Sequence, residues 1–309
     1  MMADMIGHFL PETNQHEVVT MMLRFENITK RYGEKTALNG ISLKLEEGIY
    51  GLLGPNGAGK STMMNLITGN LKPSEGRILF DGREISEASK EIRSSIGYMP
   101  QSTALYSDFT GIDFLRYIAS MKGMGKRNAE EQIETYLKRL DLYDVRNRKI
   151  RTWSGGMKQR LMLIQAMLND PKILILDEPT AGMDPKQRII VSNMISEKAL
   201  NSLVLISTHV TSDVEFIAGE IILLKEGKVL RKDTVQKLTE SLKGKVWTVY
   251  SKEEELERLY KIYTVCAIAK NSQGVSVRVI SDGRPLEYCE QVRPVLSDVY
   301  MYYFGEAQI

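Results

Sequence analysis

The chain has 309 residues, of which 43% are hydrophobic and 26% charged, and its formal net charge is +2. That is room for one large domain and a small one with real cores, and it excludes the concentrated basic balance of a nucleic-acid binder. Cys266 and Cys289 are the only cysteines, too few and too isolated for a disulfide framework, and they read as reduced thiols.

Residues 1–20 show no periodicity, and alternation starts at Leu23, Phe25 and Asn27. The first stretch is expected to be a disordered leader, or the consequence of an upstream start with the true start at Met21 or Met22. No run approaches the ~18 apolar residues of a membrane span, and no secretory signal pattern opens the chain. A role at a membrane then needs another subunit. Residues 23–45 hold two short alternating runs around the turn Tyr32-Gly33-Glu34-Lys35. A strand over 49–53 enters a glycine-rich loop, and Thr62 to Thr68 reads as a helix closed by Gly69. From about Asp108 to Leu142 the apolar spacing is helical, through Leu115, Ile118 and Ala119 and again through Ile133, Tyr136, Leu137 and Leu140. Ser154 opens a further helix, running to about Leu168 and stopped by Asn169-Asp170-Pro171. Ile173 to Leu176 and Leu203 to Ser207 are buried strands. After about Val229 a small α+β region follows, with strand-like alternation at 246–250 and 275–280 and a helix at 253–260. Strands alternating with helices imply an α/β core with a mostly parallel sheet.

Three segments carry chemistry in their residue types. Gly54-Pro55-Asn56-Gly57-Ala58-Gly59-Lys60-Ser61, between a strand and a helix, matches a phosphate-binding loop. Its glycines let backbone N–H groups turn toward phosphates at a helix N-terminus. Lys60 would reach the β- and γ-phosphates, and Ser61 would ligate Mg²⁺. Asp177 and Glu178 end an apolar strand, where carboxylates project into the ligand crevice of a parallel sheet. Asp177 would hold Mg²⁺ through water, and Glu178 would polarise an attacking water as general base. In Trp153-Ser154-Gly155-Gly156-Met157-Lys158-Gln159, Ser154 can cap the next helix and the glycines allow close approach to an anion.

This third segment resembles the signature of the ATP-binding cassette (ABC) family, commonly Leu-Ser-Gly-Gly-Gln. Trp153 and Met157 depart from that form, in a manner similar to drug- and antibiotic-exporting members, while Ser154, Gly155 and Gly156 are kept. The resemblance extends over about Leu23 to Val229, and it implies roles that spacing alone does not. It makes Gln101 a sensor of Mg²⁺ and water that touches a membrane subunit. Asp184, in Ala181-Gly182-Met183-Asp184-Pro185, becomes a bridge between subunits. His209 becomes the γ-phosphate histidine; it is the only histidine besides His8 and His16. Tyr32 becomes the aromatic that stacks on adenine. Gly54 through Thr62 would enclose the ATP phosphates. The tail Leu296-Ser297-Asp298-Val299-Tyr300 is similar to that of exporter ATPase subunits, although a terminal helix packing on its own domain explains it equally well.

The implied fold is a P-loop NTPase cassette: a mostly parallel sheet, an antiparallel β part and a helical subdomain at about 105–165. The cassette spans 21–230 and a small C-terminal accessory region spans 231–309. The implied activity is ATP hydrolysis that powers transport, with Mg²⁺ as cofactor and export favoured by the signature variant. One chain carries one P-loop and one signature, so each site needs a second copy of the chain or a homologous cassette. An integral membrane permease would hold the pair at the cytoplasmic face of the membrane. A non-transport ABC ATPase of translation or DNA repair, and an ATP-binding regulatory module, are the alternatives.

Overall fold

The computed structural model describes residues 21–87, 90–101, 105–271 and 274–305; the expected leader at 1–20 lies outside the described residues. A six-stranded sheet forms the centre, in the order Lys228–Thr234, Glu220–Lys225, Gly48–Leu53, Leu203–Ser207, Ile173–Asp177 and Ile96–Met99. All its pairings are parallel except that of Lys228–Thr234 with Glu220–Lys225. Ile173–Asp177 and Leu203–Ser207 are buried at every position, because a parallel sheet is covered on both faces and needs apolar side chains on each. Period-two alternation then divides the core. Ile173, Ile175, Leu203 and Leu205 join one apolar cluster, while Leu174, Leu176, Val204 and Ile206 join the other.

The first cluster is closed by an antiparallel sheet in the order Lys35–Leu45, Leu23–Tyr32, Glu75–Phe80 and Arg83–Glu84. The helix Lys60–Ile67 packs there through Met63, Met64, Leu66 and Ile67. The second cluster takes the helical segment, built from Gly111–Met121, Lys126–Arg139 and Gly155–Met167. Thr110 caps the first of these by accepting the Asp113 N–H at 3.2 Å.

Trp153 is 4% exposed and lies in this cluster. Its indole covers Gly111 so closely that a Cβ at Gly111 would overlap the ring. An alanine at a first-turn helix position is ordinarily favourable. Here Gly111→Ala is expected to destabilise the chain by about 1–3 kcal/mol through overpacking. Trp153→Leu in the same chain should recover much of that loss. Thermal unfolding of the wild type, the two single variants and the double variant measures it; additive effects would contradict the packing argument.

The strand Lys228–Thr234 runs across residue 230, where the sequence suggested a boundary. It is an edge strand held by its antiparallel pairing, and Arg231, Lys232 and Asp233 hid it from an apolar pattern. Beyond the helix Val235–Glu240 comes a third sheet, all antiparallel, in the order Thr264–Asn271, Gly274–Ile280, Val246–Ser251 and Cys289–Gln291. It has its own small core of Val249, Leu259, Val275, Val277 and Val279. Burial and the neighbouring Asp298 push the Cys266 thiol up to about 12, so it stays protonated and inert. The last helix, Leu296–Phe304, returns to the main core, burying Leu296 and Val299.

Candidate active site

A cleft of about 660 Å³ opens at the carboxyl ends of the central strands, where open α/β sheets bind ligands. Strand Gly48–Leu53 leads into it through the glycine-rich loop. A Cβ at Gly54 would collide with the Leu224 carbonyl, and one at Gly59 would stand 2.6 Å from the Ala37 carbonyl. Gly57 and Gly59 also have φ of +80° and +109°, which side chains rarely adopt. The loop thus folds tightly enough to set its amides at the start of Lys60–Ile67. No side chain caps that helix start, so its first N–H groups remain available to an anion. Pro55, Asn56, Ser61 and Thr62 border the cleft, and Ala58 is buried behind it.

The Lys60 ammonium donates to the Gly54 and Pro55 carbonyls at 2.6 and 3.1 Å. Burial lowers its pKa from the usual lysine value, while the charges of Glu178 and Asp177 oppose that shift. Asp177 and Glu178 are 5% and 7% exposed. Burial raises the Asp177 carboxyl; Ser207 beside it counteracts this, Glu178 adds to it, and Lys60 pulls it back down.

Glu178 sits at φ +53°, a left-handed conformation rare for its type that turns its side chain out of the strand line. Its N–H donates to the Ser207 carbonyl at 2.8 Å. Its Oε1 accepts the His209 N–H at 3.2 Å and meets His209 Nδ1 at 2.7 Å. Thr208 Oγ1 donates to Oε2 at 3.4 Å. When Glu178 is ionised it can only accept, and Nδ1 is then the donor of that contact. In the imidazolium form Nε2 also donates, and the ring can then bridge Glu178 to an anionic oxygen. Tyr32, 47% exposed, and Gln101 stand on the same cleft.

Ser154, Gly155, Gly156 and Asp184 do not border this cleft. They border a second one, with Gly182 and Met183. Ser154 Oγ accepts the Met157 N–H at 3.2 Å and caps Gly155–Met167. Asp184 Oδ1 accepts the Gln187 N–H at 3.0 Å and caps Pro185–Lys198. Trp153 is buried and Met157 packs against the core. The two departures from the family signature therefore face inward, and the serine and first glycine stay exposed. Gln159, one turn into the helix, donates to the Glu178 carbonyl at 2.8 Å and ties the two clefts together.

The structure adds Lys35, Ala37 and Tyr300 to the Lys60 cleft and Gln159 to its support. Lys35 and Ala37 follow the Tyr32 turn closely, so proximity in the chain was a signal for them. Tyr300 had none.

A glycine-rich phosphate loop, a buried carboxylate pair and a strand-end histidine on a parallel sheet define a P-loop nucleotide-hydrolysing cassette. The ABC transporter family profile matches residues 38–181. The chain is 36% identical to the uncharacterized ABC transporter ATP-binding protein YxlF of Bacillus subtilis over 296 residues, 91% of this chain and 98% of that protein. It is 37% identical to the lantibiotic transport ATP-binding protein SrtF of Streptococcus pyogenes over 214 residues, 68% of this chain and 89% of the relative. A dimeric post-hydrolysis ATP-binding cassette bound to ADP and Pi superposes with a TM-score of 0.63 at 28% identity, covering 69% of this chain and 98% of that one. The chain belongs to the ATP-binding subunits of ABC transporters, and its activity is ATP hydrolysis coupled to transport.

Proposed function

We propose that this chain drives an exporter as one half of an ATP-clamped pair of cassettes. The carrying observation is that Lys60 and Ser154 border different clefts of one chain. Neither cleft has both halves of a γ-phosphate cage, so the Ser154 turn of a second copy, or of a homologous cassette, closes on the nucleotide held by Lys60. Asp184 lies on that same exposed face and bridges the pair.

Within the site Lys60 exchanges its loop carbonyls for β- and γ-phosphate oxygens, and Tyr32 stacks on adenine. Glu178 orients the attacking water and takes its proton, with His209 holding the carboxylate and meeting the γ-phosphate. The Ser61 hydroxyl, Gln101 amide and Asp177 carboxylate are all oxygen donors on one cleft, a set suited to Mg²⁺ shared with phosphate oxygens and water. That ion, when bound, neutralises charge on the β- and γ-phosphates.

The membrane-spanning part belongs to a separate permease; among the described residues no helix is long and apolar enough to cross a bilayer. The permease docks on the helical segment from residue 105 onward. There Tyr106, Phe109 and Tyr117 are 52%, 37% and 40% exposed, with ring centroids 5.2 to 6.0 Å apart. Such an exposed aromatic cluster marks an interface. The pair then sits at the cytoplasmic face of the membrane, residues 21 to about 234 forming the cassette and the remainder an accessory module. Export rather than import is supported by the signature variant and by a 35% identical relative from Burkholderia orbicola named as a Nod factor export ATP-binding protein.

Mixing tests the shared site. Lys60→Ala and Ser154→Arg chains should each be inactive alone. A mixed dimer of the two retains one site with an intact Lys60 loop and an intact Ser154 turn. ATPase activity should therefore return on mixing, to at most about half the wild-type rate if each site acts alone. If mixing restores nothing while each variant still dimerises, the shared-site reading fails.

A further inference from the structure

One wall of the Lys60 cleft comes from the far end of the chain. Tyr300 borders it with Lys60, Glu178 and His209, yet it belongs to the last helix, Leu296–Phe304, beyond the third sheet. That helix is fastened on two sides. Asp298 is fully buried and takes the Arg278 guanidinium through two hydrogen bonds of 2.7 Å, which join the helix to the C-terminal sheet. Toward the cassette, the Leu296 N–H donates to Glu215 Oε1 at 2.9 Å, and Lys225 Nζ donates to the Tyr303 carbonyl at 3.4 Å. Glu215 ends the short helix Ser212–Glu215 that follows His209, so the helix bearing Tyr300 is anchored to the segment next to that histidine. The Phe304 ring, 4.8 Å from that of Tyr300, braces it.

We propose that Tyr300 is a nucleotide-contacting residue, its hydroxyl donating to an oxygen of bound ATP, so that the accessory module completes the ATP site in cis. The proposal rests on the Lys60 cleft being the ATP site. Burial raises the Tyr300 pKa, so the phenol remains a neutral donor facing an anion. Hydrogen bonds to charged oxygens are the strong ones. The contact also makes helix docking and nucleotide occupancy reciprocal. Whatever factor the docked helix adds to ATP affinity, bound ATP adds to the docking of the helix. A partner that pulls on the accessory module then loosens ATP by the same factor.

The test uses the full-length chain, magnesium and a non-hydrolysable ATP analogue. Tyr300→Phe keeps the ring, and with it the contact with Phe304, but loses the hydroxyl. It should weaken binding roughly 10-fold and raise KM for ATP with kcat little changed, the pattern of a lost binding contact. In the wild type the analogue should slow amide exchange across 296–304. Wild-type affinity in Tyr300→Phe overturns the proposal, and so does weaker binding in that variant without nucleotide-dependent protection of the helix in the wild type. Lys60→Ala separates the two levels. If it loses binding while Tyr300→Phe does not, only the Tyr300 contact fails; if it binds normally, the ATP-site reading itself fails.

Discussion

Glu178→Gln is expected to bind ATP at least as tightly as the wild type while its turnover falls by about 10²- to 10⁴-fold, the usual worth of a positioned general base. The substitution keeps the shape of a side chain that is 7% exposed and holds His209 at 2.7 Å. It removes a negative charge from a cleft that already contains buried Asp177, and so lessens repulsion of the ATP phosphates. Hydrolysis is what releases the pair, so the variant should accumulate as an ATP-dependent dimer. Steady-state phosphate release and size-exclusion chromatography with MgATP measure both effects. Turnover near the wild-type rate would remove Glu178 from the role of base.

Lys60→Ala is expected to lower MgATP affinity by roughly 10²-fold and to abolish measurable hydrolysis. The ammonium is half-buried and held by two loop carbonyls, and is the cation facing both strand-end carboxylates. Charged hydrogen bonds of this kind contribute about 1.5–3 kcal/mol each, and stabilisation of developing phosphate charge adds to that in turnover. The loop itself should survive, because Gly54, Gly57 and Gly59 set its course. Equilibrium binding of a fluorescent ATP analogue, with circular dichroism to check the fold, tests this. Binding within a few-fold of the wild type would defeat the phosphate-loop assignment.

These residues were legible because their requirements are local. A phosphate loop needs glycines at fixed offsets between a strand and a helix. A cap such as Ser154 or Asp184 needs its oxygen within reach of an N–H three residues on. A strand covered on both faces, such as Ile173–Asp177, reads as an unbroken apolar run ending in its carboxylates. The helix Lys60–Ile67 began two residues earlier than its apolar pattern suggested, because Lys60 and Ser61 take helical positions for their polar ends. Weaker patterns were lost. Thr264–Asn271 carries a register shift between Val265 and Ala267 that breaks alternation, and Lys228–Thr234 is a polar edge paired with a single neighbouring strand.

The apolar strands and helices of the cassette and the glycine-rich loop with Lys60 and Ser61 were legible from the residues alone, since each is specified by neighbours within a turn or a strand, whereas Tyr32, Gln101 and His209 were reached through family resemblance. Three things were settled only when the chain closed on itself. Trp153 came to lie over Gly111, the Ser154 turn came to border a different cleft from that of Lys60, and Tyr300 reached the Lys60 cleft on a helix tied to the cassette through Glu215 and to the last sheet through an Asp298–Arg278 pair. Each joins segments far apart in the chain by packing or by a buried charge pair, and no local periodicity records which distant surface a side chain will meet.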